Sequence, residues 1–188
     1  MTRDEIKYMA LQELGYTKQP DFNADDDNAV NAINGSYEHI YGLSLVSFPW
    51  AFAKQFTQLE LEETNNQRYK YVGELPEDNL FLRGVYSDNT GTVLYDYYLD
   101  GNKIYVNQLT TYILYTKSIC EGQLPAYFVE YLKYNLASKL CQSLTGDTNL
   151  LQILTMRLQE AFAMAKNADI TQRQVRFLDT GAFTKVRF

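Results

Sequence analysis

Six carboxylates between residues 60 and 78 give this part of the chain the composition of a hydrolytic site. A glycoside hydrolase needs two carboxyl groups about 5 to 9 Å apart, one as acid and one as nucleophile or base. The first of these acids alternate with leucines, which is typical of the solvated face of a strand. We therefore expect a solvated face and keep a cell-wall glycan hydrolase as an alternative. The six are Glu60, Glu62, Glu63, Glu74, Glu77 and Asp78.

A second acidic segment resembles half of a calcium-binding loop. Asp21, Asn23 and Asp25 have the spacing of its first three ligands. Asp26 stands where the sharp turn requires glycine, and Ala32 stands where a bidentate glutamate is needed. The pattern instead favours carboxylates that cap the N-terminus of a following helix.

Few residues remain for other chemistry, because the chain has one histidine and two cysteines. A Ser-His-Asp triad has a single possible base, and a Cys/His zinc site lacks ligands. We expect His39 to be an ordinary helix residue and Cys120 and Cys141 to be buried free thiols. The glycines are too widely spaced for a phosphate-binding loop. The sequence thus predicts no catalytic residue, no cofactor and no metal site, and a protein that is not an enzyme.

Net charge argues against a protein that grips nucleic acid. Seventeen Lys and Arg face 23 Asp and Glu, for a net charge of -6. The start of the chain has no signal-peptide pattern and no apolar stretch approaches about 18 residues, so we expect a soluble protein with no membrane partner. Residues 1–63 carry net -7 and residues 126–188 carry net +3. Regions of opposite sign suit head-to-tail contacts between copies.

Tyrosine is the most unusual feature of the composition. Of 16 tyrosines, twelve lie between Tyr69 and Tyr134. Tyrosine is enriched at protein interfaces, since it offers a large contact area and a hydroxyl group. Tyrosines that only fill the core remain an alternative, because strands favour aromatic residues. The predicted interface tyrosines are Tyr95, Tyr97, Tyr98 and Tyr112.

Helical periodicity dominates both ends of the chain. A Thr2–Glu5 capping box opens a first helix, a second ends near Gly42, and residues 43–56 read as a short buried helix with Trp50 as core anchor. Pro125 opens a long helix, and apolar residues from 151 to 165 define a second one. These last two helices should form an αα-hairpin.

The middle of the chain has a period of two, typical of strands. Strands are predicted over residues 80–86, 93–99, 103–106 and 110–117, with Asp100-Gly101 as a hairpin turn. The predicted class is α+β, a helical body of N-terminal helices and a C-terminal αα-hairpin with an inserted antiparallel β-sheet region. Residues 1–168 form one domain, with 1–56 helical, 57–124 the β insertion and 125–168 the hairpin.

Residues 169–188 are predicted to be a C-terminal docking tail. They combine basic and aromatic side chains, a composition that favours a strap bound to a partner over simple disorder. Six of them complete the predicted interface set: Arg173, Arg176, Phe177, Phe183, Arg187 and Phe188.

Five segments, in this order and spacing, are similar to the tail tubular protein A family, the head-to-tail adaptor of short-tailed bacteriophages. They are Ala10-Leu11-x-x-Leu14-Gly15, Asp25-Asp26-Asp27, Phe48-Pro49-Trp50-Ala51-Phe52-Ala53, Tyr69-x-Tyr71 followed by Leu75-Pro76-x-Asp78, and the hairpin ending in Tyr112-Ile113. The family often has His, Asn and Trp where this chain has Phe48, Ala51 and Tyr69. The resemblance spans residues 6–168.

The resemblance implies a structural virion protein in the phage neck, assembled in the host cytoplasm. It implies a homo-oligomeric ring, twelve-fold in the family, between the portal protein and the next tail (nozzle) protein. Double-stranded DNA would pass through the ring without sequence-specific contacts. From the residues alone, a monomeric protein-binding module is the other alternative to a ring.

Overall fold

A computed structural model describes residues 1–24 and 27–172 of the chain. Helices and antiparallel sheets are both present, which confirms the α+β class. The helices are α1 (Arg3–Glu13), α2 (Asn28–Val46), α3 (Ala126–Leu144) and α4 (Thr148–Gln172). The strands are β1 (Lys54–Gln58), β2 (Leu61–Glu63), β3 (Tyr71–Glu74), β4 (Asn79–Tyr86), β5 (Tyr97–Asp100), β6 (Lys103–Val106) and β7 (Tyr112–Lys117).

The first two helices begin at the side-chain caps that the sequence predicts. The Thr2 hydroxyl accepts a hydrogen bond from the Glu5 amide at 3.3 Å, and the Glu5 carboxylate accepts one from the Thr2 amide at 2.7 Å. The Asp27 carboxylate accepts from the Ala29 amide at 2.8 Å and caps α2. Each cap satisfies backbone N–H groups that have no partner inside the helix.

The predicted short helix over residues 43–56 is wrong. Residues 43–46 extend α2, residues 51–53 form a single 3-10 turn, and residues 54–58 form β1. All five residues of β1 pair with β7, far along the chain. This long-range pairing overrides the local apolar pattern, because strand formation depends on partners that a sequence window does not contain.

Trp50 is the core anchor that the sequence predicts. Its side chain is fully buried, and its indole N–H donates to the Ser44 carbonyl at 3.0 Å. Six aromatic rings have centroids within 6.5 Å of the indole. They belong to Phe48, Phe52, Tyr127, Phe128, Tyr131 and Phe162.

The C-terminal αα-hairpin is confirmed, and α3 is the centre of the helical body. It contacts α1, α2 and α4 and carries fully buried Phe128, Leu132 and Leu136. Helix α4 continues to Gln172 and buries Asp169 completely, so residues 169–172 belong to the helical body and not to a tail.

The strands form two antiparallel sheets. Sheet A has the order β1-β7-β4, and sheet B has the order β2-β3-β6-β5. They share one apolar core, in which Val85 and Ile113 of sheet A meet Ile104 and Val106 of sheet B. The hairpin predicted at Asp100-Gly101 is confirmed, and its two turn residues are Gly101 and Asn102, because Asp100 itself pairs with Lys103.

The predicted strand over residues 93–99 is largely replaced by a turn and a bridge. Val93 makes one isolated bridge to Tyr86, and regular pairing starts only at Tyr97. The Asp88 carboxylate accepts from the amides of Thr90, Gly91 and Thr92 at 2.9 to 3.1 Å. This side-chain turn reverses the chain at the turn residues that the sequence predicts.

Arg83 joins the helical body to sheet A. Its guanidinium donates to the carbonyls of Val46 at 2.8 Å and Phe48 at 3.2 Å, at the end of α2. Its Nε donates to the Thr116 hydroxyl on β7 at 2.9 Å. Burial lowers the pKa of Arg83 from its usual value. One side chain therefore links the end of α2 to sheet A.

Candidate interaction surfaces

Sheet B carries a group of three tyrosines on the face opposite its core. Tyr98 and Tyr105 are cross-strand neighbours, and the ring centroids of Tyr69, Tyr98 and Tyr105 lie 6.0 to 6.5 Å apart. The adjacent pair, Leu99 and Ile104, points to the other face, where Ile104 is fully buried. We call Tyr69, Tyr98 and Tyr105 the tyrosine cluster; Tyr98 is 53% exposed.

Sheet A carries a second group on its own outer face. The Phe56 ring stacks on Tyr112 at 5.4 Å with an angle of 2° between the planes, and meets the Tyr86 ring at 5.6 Å. Tyr112 alternates along β7 with buried Ile113, so its ring lies on the face away from the shared core. We call Phe56, Tyr86 and Tyr112 the Phe56 cluster.

The structure separates the four predicted interface tyrosines. Tyr98 belongs to the tyrosine cluster and Tyr112 to the Phe56 cluster. Tyr97 packs against the core between the sheets, and Tyr95 is 86% exposed in the segment before β5. The six predicted residues of the tail, from Arg173 to Phe188, lie outside the described residues.

Both clusters contain members that sequence reasoning missed. The sequence pattern places Phe56 in a helix and does not single out Tyr86 or Tyr105, because their grouping depends on strand pairing. The outer face of α4 was also missed. It exposes Ile153 at 49%, Met156 at 63%, Met164 at 71% and Ile170 at 50%. The sequence signal for this exposed face was that the four residues lie outside the helical repeat of apolar residues that packs α4 on α3.

The six carboxylates of residues 60–78 are all exposed, as the sequence predicts. Glu60, Glu62 and Glu74 border one open groove of about 560 Å³, together with Lys103 and Pro76. Asp78 instead accepts a hydrogen bond from the Tyr115 hydroxyl at 3.0 Å. Burial and this hydrogen bond raise the pKa of Tyr115 to about 12. Asp78 thus has a structural contact, and the other acids are solvated.

Other candidate groups lie apart from one another. His39 is exposed on α2, and within the described ranges no three His, Cys, Asp or Glu side chains are grouped to hold a metal ion. Cys141 is buried as predicted, but Cys120 is exposed and that prediction is wrong. Cys120 precedes the 3-10 turn Glu121–Gln123, which places it at the surface beside buried Ile119.

Neither the family models nor the curated proteins searched contain a match to this chain. Among residues 1–24 and 27–172, no helix has the length and apolar character needed to cross a membrane.

Proposed function

We propose that this chain is the subunit of a head-to-tail connector, a structural virion protein of the tail tubular protein A type. Copies would repeat around a ring in the phage neck, between the portal protein and the next tail protein. The genomic DNA would pass through the ring. Because each subunit has a net charge of -6, a lining of acidic residues would repel the phosphate backbone and let DNA slide.

The observation that carries this proposal is the pair of aromatic clusters on the outer faces of two different sheets, in which Tyr98 and Phe56 are exposed and Tyr69 is buried. A closed ring needs two different surfaces on each subunit, because the contact between neighbours is heterologous. The tyrosine cluster and the Phe56 cluster are two such surfaces, each built from aromatic rings that favour interfaces. A monomer has no need of both.

The motifs behind the resemblance also have clear positions in the fold. The Pro49-Trp50 segment joins the helical body to β1, and the Leu75-Pro76 segment leads from β3 to β4. The Leu75 amide donates to the Asn102 carbonyl at 2.8 Å, and the Asn102 side chain donates to the Leu75 carbonyl at 3.1 Å. These two hydrogen bonds tie the end of β3 to the β5–β6 turn within sheet B, as expected for the frame of a subunit.

The test is the size of the purified chain, alone and mixed with its portal protein, by light scattering and electron microscopy. We expect ring-shaped particles of many copies. Replacing Tyr98 and Tyr112 by serine should abolish them without lowering the thermal midpoint by more than a few degrees, while Tyr98→Phe with Tyr112→Phe should keep them. A chain that stays monomeric even with the portal present would refute the proposal.

A further inference from the structure

The outer edge of sheet A is open along β1. In the described part of the chain β1 pairs only with β7, and β2, which follows it, is likewise an edge strand and pairs only with β3. Residues 55–58 of β1 therefore present an open edge about 13 Å long, at about 3.3 Å per residue, and residues 59–60 separate it from β2 in the other sheet. Exposed strand edges offer unpaired backbone groups to another segment of chain.

The register identifies which backbone groups point outward. The Leu59 amide donates to the Thr111 carbonyl at 2.9 Å, one step beyond the Gln58–Tyr112 pair. Hydrogen-bonded pairs alternate along an antiparallel ladder, so Thr57 also bonds to β7 while Phe56 and Gln58 direct their N–H groups to the open side. The Phe56 and Gln58 amides are thus available to a further strand.

The last described residue lies close to the start of this edge. The Asp169 carboxylate of α4 accepts from the Ala51 amide at 2.8 Å, and Ala51 is three residues before β1. The Tyr127 hydroxyl, 3.1 Å from the same carboxylate, also donates to the Gln172 side chain at 3.4 Å. The described part of the chain therefore ends beside the start of β1, and 16 further residues follow in the sequence, a length that corresponds to about 50 Å of extended chain.

The charge of residues 173–188 is opposite in sign to that of the groove at the far end of the edge. Residues 173–188 contain four basic residues and one acid, a side-chain charge of +3. The far end of the edge borders the groove that carries Glu60, Glu62 and Glu74. In the sequence, Val175 and Phe177 alternate with Gln174 and Arg176, a period that suits addition to a sheet.

We propose that residues 173–188 dock in their own molecule, adding a strand to the open edge of β1 and placing Lys185 and Arg187 at the acidic groove. Backbone hydrogen bonds to Phe56 and Gln58 would hold the strand, and the charges would fix its register. This docking is intramolecular and does not depend on ring formation.

The experiment is amide hydrogen exchange by NMR on the full chain at several protein concentrations. The Phe56 and Gln58 amides should exchange at least about tenfold more slowly than the Leu99 amide, which faces the open edge of β5. Lys185→Glu with Arg187→Glu should remove most of this protection at low salt, because solvated ion pairs stabilise by up to about fivefold each. Adding Glu60→Lys and Glu62→Lys should restore it.

The matched control is Lys18→Glu with Lys139→Glu, which changes the net charge equally at two exposed positions far from this edge in the sequence. It should leave the exchange of Phe56 and Gln58 unchanged. Exchange of these amides as fast as Leu99 would overturn the proposal. Protection that increases with protein concentration would also overturn it, since the strand would then come from a second copy. Either result leaves the assembly test of the connector proposal unaffected.

Discussion

The Asp169 carboxylate accepts hydrogen bonds from the Ala51 amide through both oxygens, at 2.8 and 3.0 Å. The two residues are 118 positions apart, and Asp169 is fully buried. Ala51 is the first residue of the 3-10 turn that leads into β1, so Asp169 caps this turn from the last helix. The end of α4 therefore fixes the point where the helical body passes into the sheets.

We expect Asp169→Ala to lower the free energy of unfolding by about 3 kcal/mol, because the half-buried Ala51 amide would lose its charged acceptor. Asp169→Asn keeps one carbonyl oxygen and should cost less. Urea unfolding followed by circular dichroism measures both. Asp100→Ala, at an exposed strand end, is the control and should change stability by less than about 0.5 kcal/mol. Equal midpoints for the two alanine variants would contradict the capping role.

The capping role of Asp169 shows where sequence reasoning reaches its limit. The anchor Trp50 was predictable, since a lone tryptophan in an apolar segment belongs in a core. The turn that follows it was not, because its stability comes from a carboxylate 118 positions later and its strand from pairing with β7. Periodicity reports which face of an element is buried, and it contains no information about distant polar partners.

The grouping of residues in the candidate surfaces also depends on distant parts of the chain. Tyr98 was predictable as an exposed strand tyrosine, and the structure exposes it by 53%. That its ring groups with Tyr69 and Tyr105, while Tyr112 groups with Phe56, depends on the order of strands in two sheets. Four strands predicted in sequence do not determine which sheet each one joins.

Arg83 provides the second prediction, which concerns the joint between α2 and sheet A. Arg83→Met keeps most of the apolar stem and removes the donors to Val46, Phe48 and Thr116. We expect a loss of about 2 kcal/mol in the free energy of unfolding, because three hydrogen bonds of a charged donor to half-buried and buried groups are lost. Arg83→Lys, which keeps one ammonium group as a donor, should have a free energy of unfolding between those of the native chain and Arg83→Met.

The matched control for Arg83 is Arg68→Met. The Arg68 side chain is 75% exposed and its ion pair with Asp96 is 3.5 Å long, so its loss should cost less than about 0.5 kcal/mol. Thermal unfolding of all four proteins provides the comparison. A stable Arg83→Met protein would show that the joint is held by apolar packing alone.

A third prediction concerns the ion pairs that tie three helices together. Glu13 of α1 contacts Lys133 of α3 at 3.1 Å and Arg157 of α4 at 3.0 Å. Burial acts to lower the pKa of Lys133, but hydrogen bonds to Glu130 and Glu13 outweigh it and the pKa is raised. We expect Glu13→Gln to lower the free energy of unfolding by about 1 kcal/mol at low salt, with a smaller loss at 1 M salt.

A double-mutant cycle of Glu13→Gln with Arg157→Gln isolates the half-exposed pair. The coupling should lie between about 0.2 and 1 kcal/mol and decrease with added salt. Arg157 is 50% exposed, whereas Lys133 is 10% exposed. A coupling independent of salt would mean that the two side chains interact through packing and not through charge.

The last prediction is a loss of stability in alkali, caused by tyrosines that stay protonated in the fold. Burial is the main cause that raises the pKa of Tyr115 to about 12. Burial also raises the pKa values of Tyr37 and Tyr41 above their usual value, and the negative charge of Glu121 adds to this shift.

In the unfolded chain these three tyrosines ionise near pH 10. Their contribution to stability is therefore complete below pH 10 and is lost as the pH rises from 10 towards 12 and beyond. We expect the native chain to show at least three tyrosines that gain tyrosinate absorbance well above pH 10 or on unfolding, and the free energy of unfolding to fall by about 1.4 kcal/mol per pH unit for each. Tyr115→Phe should remove one of the three, and ionisation of all tyrosines near pH 10 in a chain that is still folded would contradict the prediction.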